Sequence, residues 1–214
     1  MFLKSHFKMY IQRLKQKIIY NNILRIVHDA LVKIGLNISL YYLVEEGLPL
    51  QTLPLEFDNF NDYSVQFLKE NELNIIADIP EKLFTKEILI KRINNGSKCL
   101  ILKKNDRVIG YTWFNLDICD LPFFNISLKE NEAYLFDAYV LMEFRGKKIA
   151  PFLRYQCYKE LQKLNRTVLY SFSEYLNNQS INFKKKLNAK FVLLILYFNL
   201  FNKLEFSRQI KKLI

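Results

Sequence analysis

The stretch YVLMEFRGKKIAPFL, Tyr139 to Leu153, concentrates groups that can do chemistry. Apolar, strand-like sequence runs into Arg145-Gly146-Lys147-Lys148, and helix-like sequence follows from Ile149 and Ala150. The first N–H groups of a helix have no intrahelical partner and carry the positive end of its dipole. Gly146 permits close backbone approach, and Arg145, Lys147 and Lys148 add charge. Such a turn suits an anion, and a pyrophosphate is the natural guest. Taken alone, it is also readable as a solvated strand-to-helix turn.

Asp137 puts a carboxylate inside the apolar run AYLFDAYV. A charge on a central strand is costly unless partnered or functional, so Asp137 is either a reacting group or a tie to a neighbouring loop or helix. Asn177 stands three positions before Ser180, a good capping arrangement. Trp113 and Tyr111 sit on a β-type run, where aromatic residues line a pocket or pack a sheet face. Cys99, Cys119 and Cys157 are far apart and lack CxxC spacing, and His6 and His28 are the only histidines. Neither a disulfide framework nor a metal site is expected from them, and reduced, buried thiols fit a cytoplasmic protein.

These groups need a frame. The 214 residues are half hydrophobic and a quarter charged, which is a globular composition. The 32 Lys and Arg against 21 Asp and Glu leave a net charge of +11. That balance fits an anionic partner (nucleic acid, membrane surface or phosphorylated small molecule), or a general Lys, Asn and Ile bias with no binding role. Two parts are expected. In the first, residues 1–45, Phe7, Tyr10, Ile11, Leu14 and Ile18 share a helical face, basic residues fill the rest, and no acid precedes Asp29. Such a helix lies on an anionic membrane or packs half-buried on its own domain. A second helical piece, Asp29 to Ile34, ends at Gly35. The start has no long apolar core of the secretory kind, and FVLLILYFNLF, the most apolar run, is roughly half the ~20 residues that cross a bilayer.

The second part, residues 46–214, alternates elements. LYYLVEEGLPLQTLPLEF reads as an extended link that contributes a first strand. FNDYSVQFLKENEL and PEKLFTKEILIKRINNG read as helices, with Pro80 in an N-terminal turn. SKCLILKKNDRVIGYTWFNL is a hairpin turning at Asn105-Asp106. DICDLPFFNISLKENE reads as an irregular loop with a turn at Pro122, and Ala133 to Leu141 as a strand. A helix follows with Pro151 in its first turn, then the strand TVLYSF, the short helix NNQSINFKKKLN, and closing strands.

In that order the chain resembles the GNAT superfamily of acyl-CoA-dependent N-acyltransferases. KNDRVIGYTWF is similar to the family's second and third strands. YLFDAYVLMEFRGKKIAPFL is similar to its fourth strand, pyrophosphate loop and third helix, and NNQSINFKKKLNAKFV to its late Asn-x-x-Ser helix. The likeness runs from about Leu48 to Phe206. It implies a mixed α/β (α+β) fold with a mostly antiparallel central sheet flanked by helices, beside a basic helical N-terminal extension. It implies acetyl transfer from acetyl-CoA to a primary amine of a small molecule, such as an amino sugar or a cell-surface precursor. In the family loop Arg/Gln-x-x-Gly-x-Gly/Ala, Arg145 and Ala150 fit but Lys148 stands at the middle glycine. Lys184 stands where the family often has the tyrosine that protonates the leaving CoA thiolate.

The resemblance implies roles by residue. Arg145, Gly146, Lys147, Lys148, Ile149 and Ala150 would hold the pyrophosphate. The N–H of Val140, with Tyr139 beside it, would stabilise the oxyanion. Asn177 and Ser180 would face the pantetheine or cap the last helix. Asp137 is the first candidate to take the amine's proton, directly or through water, with Glu132 and Tyr134 behind it. Either Lys184 replaces the general-acid tyrosine, or a water or another tyrosine does, or acid help is weak. The expected location is cytoplasmic, with peripheral membrane contact through the first helix. No helix-turn-helix, zinc-finger or RRM pattern speaks for nucleic acid. The competing reading is a GNAT-fold module of weak or no catalysis that binds a membrane or nucleic acid, with Lys148 and Lys184 as marks of a degraded site.

Overall fold

The computed structural model describes residues 23–47, 60–79 and 84–213. The basic stripe before Ile23, the middle of the extended link and Pro80 lie outside the described residues. Helix α1, Ile23–Lys33, leads into β1, Leu36–Glu46. Then come β2, Tyr63–Phe67, a 3₁₀ turn, the short helix α2, Asn74–Ala77, and α3, Lys86–Asn94. Strands β3, Lys98–Lys104, and β4, Arg107–Asn115, form a hairpin, followed by β5, Ile118–Leu121, β6, Phe124–Ser127, and β7, Glu132–Val140. The chain closes with α4, Ile149–Lys163, β8, Val168–Glu174, α5, Asn178–Lys186, β9, Lys190–Leu200, and β10, Leu204–Lys212.

Among the described residues eight strands form one sheet in the order β10-β9-β1-β8-β7-β4-β3-β2, and β5 pairs with β6 apart from it. Every pairing in the large sheet is antiparallel except β7 with β8. Helices cover both faces, and the strand period of two divides the core between them. On β3, Leu100 and Leu102 turn to the α4 face with Phe114, Leu135, Phe152 and Leu153. Cys99 and Ile101 turn to the α3 face with Leu89, Tyr111 and Trp113. That double burial explains why the β3 sequence is a continuous apolar run.

Several elements differ from the sequence reading. FNDYSVQFLKENEL is not a helix: Tyr63–Phe67 pairs with Leu100–Lys104 as an edge strand, and only short helical turns follow. The five-residue run with Val65 and two aromatics suits a half-buried edge, and pairing with β3 overrides its helical spacing. The stretch after Asn115 is not a plain loop either: β5 and β6 form a hairpin about Pro122-Phe123, and Phe123 stacks on Tyr41 with centroids 3.9 Å apart. Strand β1 runs between β8 and β9, so the sheet takes in residues from Leu36 onward, ahead of the change from extension to domain read near residue 45. Helix α1 docks beside it. His28 Nε2 is 2.9 Å from Ser39 Oγ, its Nδ1 is 3.2 Å from Glu174, and Arg25 reaches Glu174 at 3.4 Å.

Candidate active site

The parallel pair β7/β8 is short. Glu132–Tyr134 pairs with Val168–Tyr170, and beyond that point the two strands part. A bulge on β7 accompanies the parting: Trp113 faces Phe136 and Tyr111 faces Tyr139, so Asp137 and Ala138 stand against Thr112 alone. Asp137 takes a left-handed φ of 44°, a conformation that Asp tolerates better than most residues. Beyond the bulge, Leu141 N–H donates to the Ile109 carbonyl. By antiparallel alternation the peptide groups of Val140 therefore point away from β4, toward the opening. On the other side Tyr175 N–H donates to the Leu40 carbonyl, and Leu43 is opposite Phe172. The same alternation turns the peptide groups of Phe172 away from β1, into the opening. Two strand edges thus diverge and face one another.

The chain leaves β7 through a 3₁₀ turn, Met142–Phe144, and reaches α4 through the basic turn. Arg145 bends back: its Nε donates to the Val140 carbonyl at 3.0 Å, and its guanidinium lies 5.2 Å from the centre of the Tyr139 ring. Gly146 has φ 79° and, among the described residues, nothing within 4 Å of where a Cβ would stand, so the position needs glycine's backbone freedom. Lys148, at the family's middle glycine, is the N-cap of α4 with φ 58°. The lysine therefore keeps the left-handed backbone that a glycine would supply, and its side chain is exposed. Among the described residues no side-chain hydrogen bond caps α4, and no acid lies in its first turn. Its bonding begins with Phe152 N–H to the Lys148 carbonyl, and Pro151 has no N–H to satisfy. The N–H groups of Ile149 and Ala150 precede that first bond, with Lys147 and Lys148 exposed around them. The residues present fit an anion such as the pyrophosphate of CoA.

Asn177 and Ser180 form the N-cap of α5. The Asn177 side chain accepts from Ser180 N–H at 3.2 Å, and Ser180 Oγ lies 2.7 Å from Ser173 Oγ. One turn further on, Lys184 is almost wholly buried, and its Nζ donates to the Phe172 carbonyl at 2.7 Å, on the edge that faces the opening. Behind it lies a carboxylate that the sequence reading passed over. Glu46, at the end of β1, is buried, and its Oε1 lies 3.8 Å from Lys184 Nζ. It accepts from Tyr158 OH at 2.6 Å and from Ser171 Oγ, and Arg154 Nε lies 3.3 Å away. Arg154 is close enough for an ion pair, but neither its Nε nor its Nη1 makes a hydrogen bond among the described residues. Burial alone would raise the Glu46 carboxyl, but Arg154, Lys184, Ser171 and Tyr158 outweigh it and hold it below its ordinary value. Burial, opposed by Glu46 and aided by Arg154, pushes the Lys184 ammonium down to about 7.

On the α3 face, Arg92 Nη1 donates to Asp137 at 2.7 Å. The guanidinium lies 4.4 Å from the centre of Phe84 and 5.3 Å from those of Trp113 and Phe136. Asp137 thus ties the bulge to a helix, one of the two roles read for it from the sequence. Tyr134 lies at the closed end of the opening, opposite Tyr170, with its ring stacked on Phe136. Burial raises its phenol, which keeps it protonated, the form of a donor and not of a base. Glu132 accepts from Lys129 N–H at 2.9 Å and from Tyr170 OH at 3.4 Å, which fastens the turn before β7. Trp113 and Tyr111 are fully buried in the core of the α3 face. Among the described residues, His28, Asp29 and Glu174 bring possible ligand atoms within 4.8 Å of one another, and Arg25 lies 3.4 Å from the Glu174 carboxylate. None of the described helices is long and apolar enough to cross a membrane.

The model of the acetyltransferase (GNAT) family matches residues 58–189, more than half of the chain, and the chain belongs to that family. Among solved structures it is similar to a protein of Novosphingobium aromaticivorans assigned to the GNAT family, at 12% identity and a TM-score of 0.53, over 83% of this chain and 69% of that one. It is also similar to a Drosophila protein, at 13% identity and a TM-score of 0.55, over 83% of this chain but only 57% of that one. A Staphylococcus epidermidis protein of unknown function aligns at 12% identity and a TM-score of 0.51, over 78% of this chain and 63% of that one. At such identities the likeness is one of fold. No curated protein matches.

Proposed function

We propose that this protein transfers an acetyl group from acetyl-CoA to a primary amine of a small molecule. The observation that carries the reading is the opening between β7 and β8, which leads directly into the uncapped, basic N-terminus of α4. Ile149 and Ala150 N–H, with Lys147 and Lys148, hold the pyrophosphate there, and Gly146 leaves room for it. The pantetheine lies between the diverging edges, within reach of the peptide groups of Val140 and Phe172. The amine attacks the thioester carbonyl, and the Val140 N–H stabilises the charge that develops on its oxygen. Asp137, fixed by Arg92 at the bulge, receives the amine's proton through water.

The competing picture of a degraded site rested on Lys148 and Lys184. Lys148 preserves the left-handed turn, and Lys184 puts an ionisable group at the opening, so both departures are compatible with a working site. The membrane reading rested on the segment before Ile23, outside the described residues. The test is thiol release from acetyl-CoA in the presence of a panel of primary amines, amino sugars included. Acceptor-dependent release that Asp137→Asn lowers at least tenfold supports the reading. Release independent of every amine, or unchanged in Asp137→Asn, contradicts it.

A further inference from the structure

We propose that Glu46 and Arg154 are positioning residues that hold Lys184 as the proton donor to the departing CoA thiolate. The proposal rests on the acetyltransferase reading and adds to it a buried charge cluster behind the opening. Lys184 Nζ is anchored in two directions. It donates to the Phe172 carbonyl at 2.7 Å, on the edge that faces β7, and it lies 3.8 Å from Glu46 Oε1. Glu46 is fixed in turn by Tyr158 OH, Ser171 Oγ and Arg154, which come from α4 and β8. Three strands or helices thus converge on a carboxylate that touches no solvent, and the lysine it faces reaches the edge of the opening.

The charge count distinguishes this cluster from a simple buried ion pair. One carboxylate serves two cations, Arg154 and Lys184, so with both protonated the cluster carries one surplus positive charge. Arg154 keeps its charge throughout, because guanidinium does not deprotonate in proteins. The surplus therefore resides on Lys184, which can give up its proton and leave a balanced Glu46–Arg154 pair. An anion forming in the opening faces that surplus. As the C–S bond breaks, its electron pair goes to sulfur, and Lys184 gives one proton from Nζ to that sulfur. The carbonyl re-forms, the products are the amide and neutral CoA thiol, and Lys184 regains its proton from water.

The groups that face Lys184 are Glu46 from β1, Arg154 from α4 and the Phe172 carbonyl from β8; behind them Tyr158 from α4 and Ser171 from β8 bond to Glu46, and Cys157 from α4 and Tyr134 from β7 act on Arg154. Burial outweighs the attraction of Glu46 and brings the ammonium to about 7, so both of its forms are populated at neutral pH. The two neighbours pull in opposite directions. Removing the Glu46 charge moves the Lys184 midpoint down, and removing the Arg154 charge moves it up.

The experiment uses the full chain labelled with ¹⁵N-lysine, with the Nζ resonance of Lys184 assigned by its loss in Lys184→Met. Its titration midpoint is followed in wild type, Glu46→Gln and Arg154→Met, alongside the pH dependence of kcat for acetyl-CoA with the amine selected above. The expected result is a midpoint near 7 in wild type, at least one pH unit lower in Glu46→Gln and at least one higher in Arg154→Met. The alkaline limb of kcat should follow both shifts, with acetyl-CoA affinity within threefold of wild type. Because Glu46→Gln leaves Arg154 unbalanced and can fail to fold, Arg154→Met supplies an independent shift of opposite sign. Midpoints that stay put overturn the positioning role, and a limb that ignores moving midpoints overturns Lys184 as the donor. Failure of wild type to bind acetyl-CoA overturns the acetyltransferase reading instead, and the resonance titration still decides what Glu46 and Arg154 do to Lys184.

Discussion

Arg145 Nε donates to the carbonyl of Val140 at 3.0 Å, so the first cation of the basic turn braces the strand it follows. Lys184 does the same on the opposite edge at Phe172. Each diverging edge has a carbonyl held by a cation from the segment after it. Arg145→Ala removes that charge-assisted bond and the contact with Tyr139, and should cost about 1–3 kcal/mol of stability. Lys147→Ala, at an exposed side chain, should leave stability within about 0.5 kcal/mol and weaken acetyl-CoA binding only. Denaturant melts and calorimetry on the two variants separate brace from charge.

Gly146 and Lys148 share the left-handed region, and substitutions at the two should move stability in opposite directions. Gly146→Ala meets no neighbour within 4 Å among the described residues, so its cost is that of backbone strain, about 1–2 kcal/mol. Gly146→Asp adds a like charge to the same strain and should lower acetyl-CoA affinity at least a hundredfold beyond the alanine variant. Lys148→Gly relieves strain at the entropic cost of a glycine, for a net gain of up to about 1 kcal/mol. A loss of stability in Lys148→Gly would show that the lysine side chain supports the turn.

Asp137 and Arg92 predict a split between folding and turnover. Arg92→Ala removes a charged hydrogen bond and a guanidinium held among three rings, and should destabilise by about 2–4 kcal/mol. Asp137→Asn keeps an acceptor for Arg92, so it should fold and bind acetyl-CoA as wild type does and lose turnover. Equal turnover in Asp137→Asn would leave the carboxylate only its tie to α3.

Stability should rise with pH between about 7 and 9. An unfolded lysine keeps its proton up to its ordinary value of 10.5, whereas Lys184 in the fold loses it near 7. In between, the unfolded chain binds more protons, and raising the pH favours the folded one. Above about 9 the sign reverses. Burial pushes Cys119 and Cys157 up to about 12 from an ordinary 9.0, so there the unfolded chain gives up protons that the fold retains. Urea midpoints at pH 7 and 9 check the first window, and Lys184→Met should flatten it.

The sequence made the backbone of the loop legible because backbone requirements leave local marks. Gly146 before a helical pattern with Pro151 in its first turn announces an uncapped N-terminus, and Asn105-Asp106 announces the β3–β4 turn, where both residues have positive φ. The late Asn177-x-x-Ser180 cap is equally local. Glu46 was hidden because it ends a strand read as a link, and no spacing rule ties it to Tyr158, 112 residues away. A signal did exist: Arg154 and Tyr158 stand four apart on a helix whose neighbouring positions, Leu153, Cys157 and Leu161, are apolar and buried. Two polar groups on a buried helical face call for a polar partner, and only the fold says which. The bulge partner of Asp137 was hidden for the same reason, since Arg92 lies 45 residues away on a separate helix.

The most direct measurement is calorimetric titration of the folded protein with acetyl-CoA, repeated with dephospho-CoA and with Gly146→Asp. The account predicts one site of micromolar affinity for acetyl-CoA. It predicts comparable binding of dephospho-CoA, because the pyrophosphate makes the principal contact, and loss of binding in Gly146→Asp. No heat from wild type shown to be folded, or unchanged affinity in a folded Gly146→Asp, would contradict it.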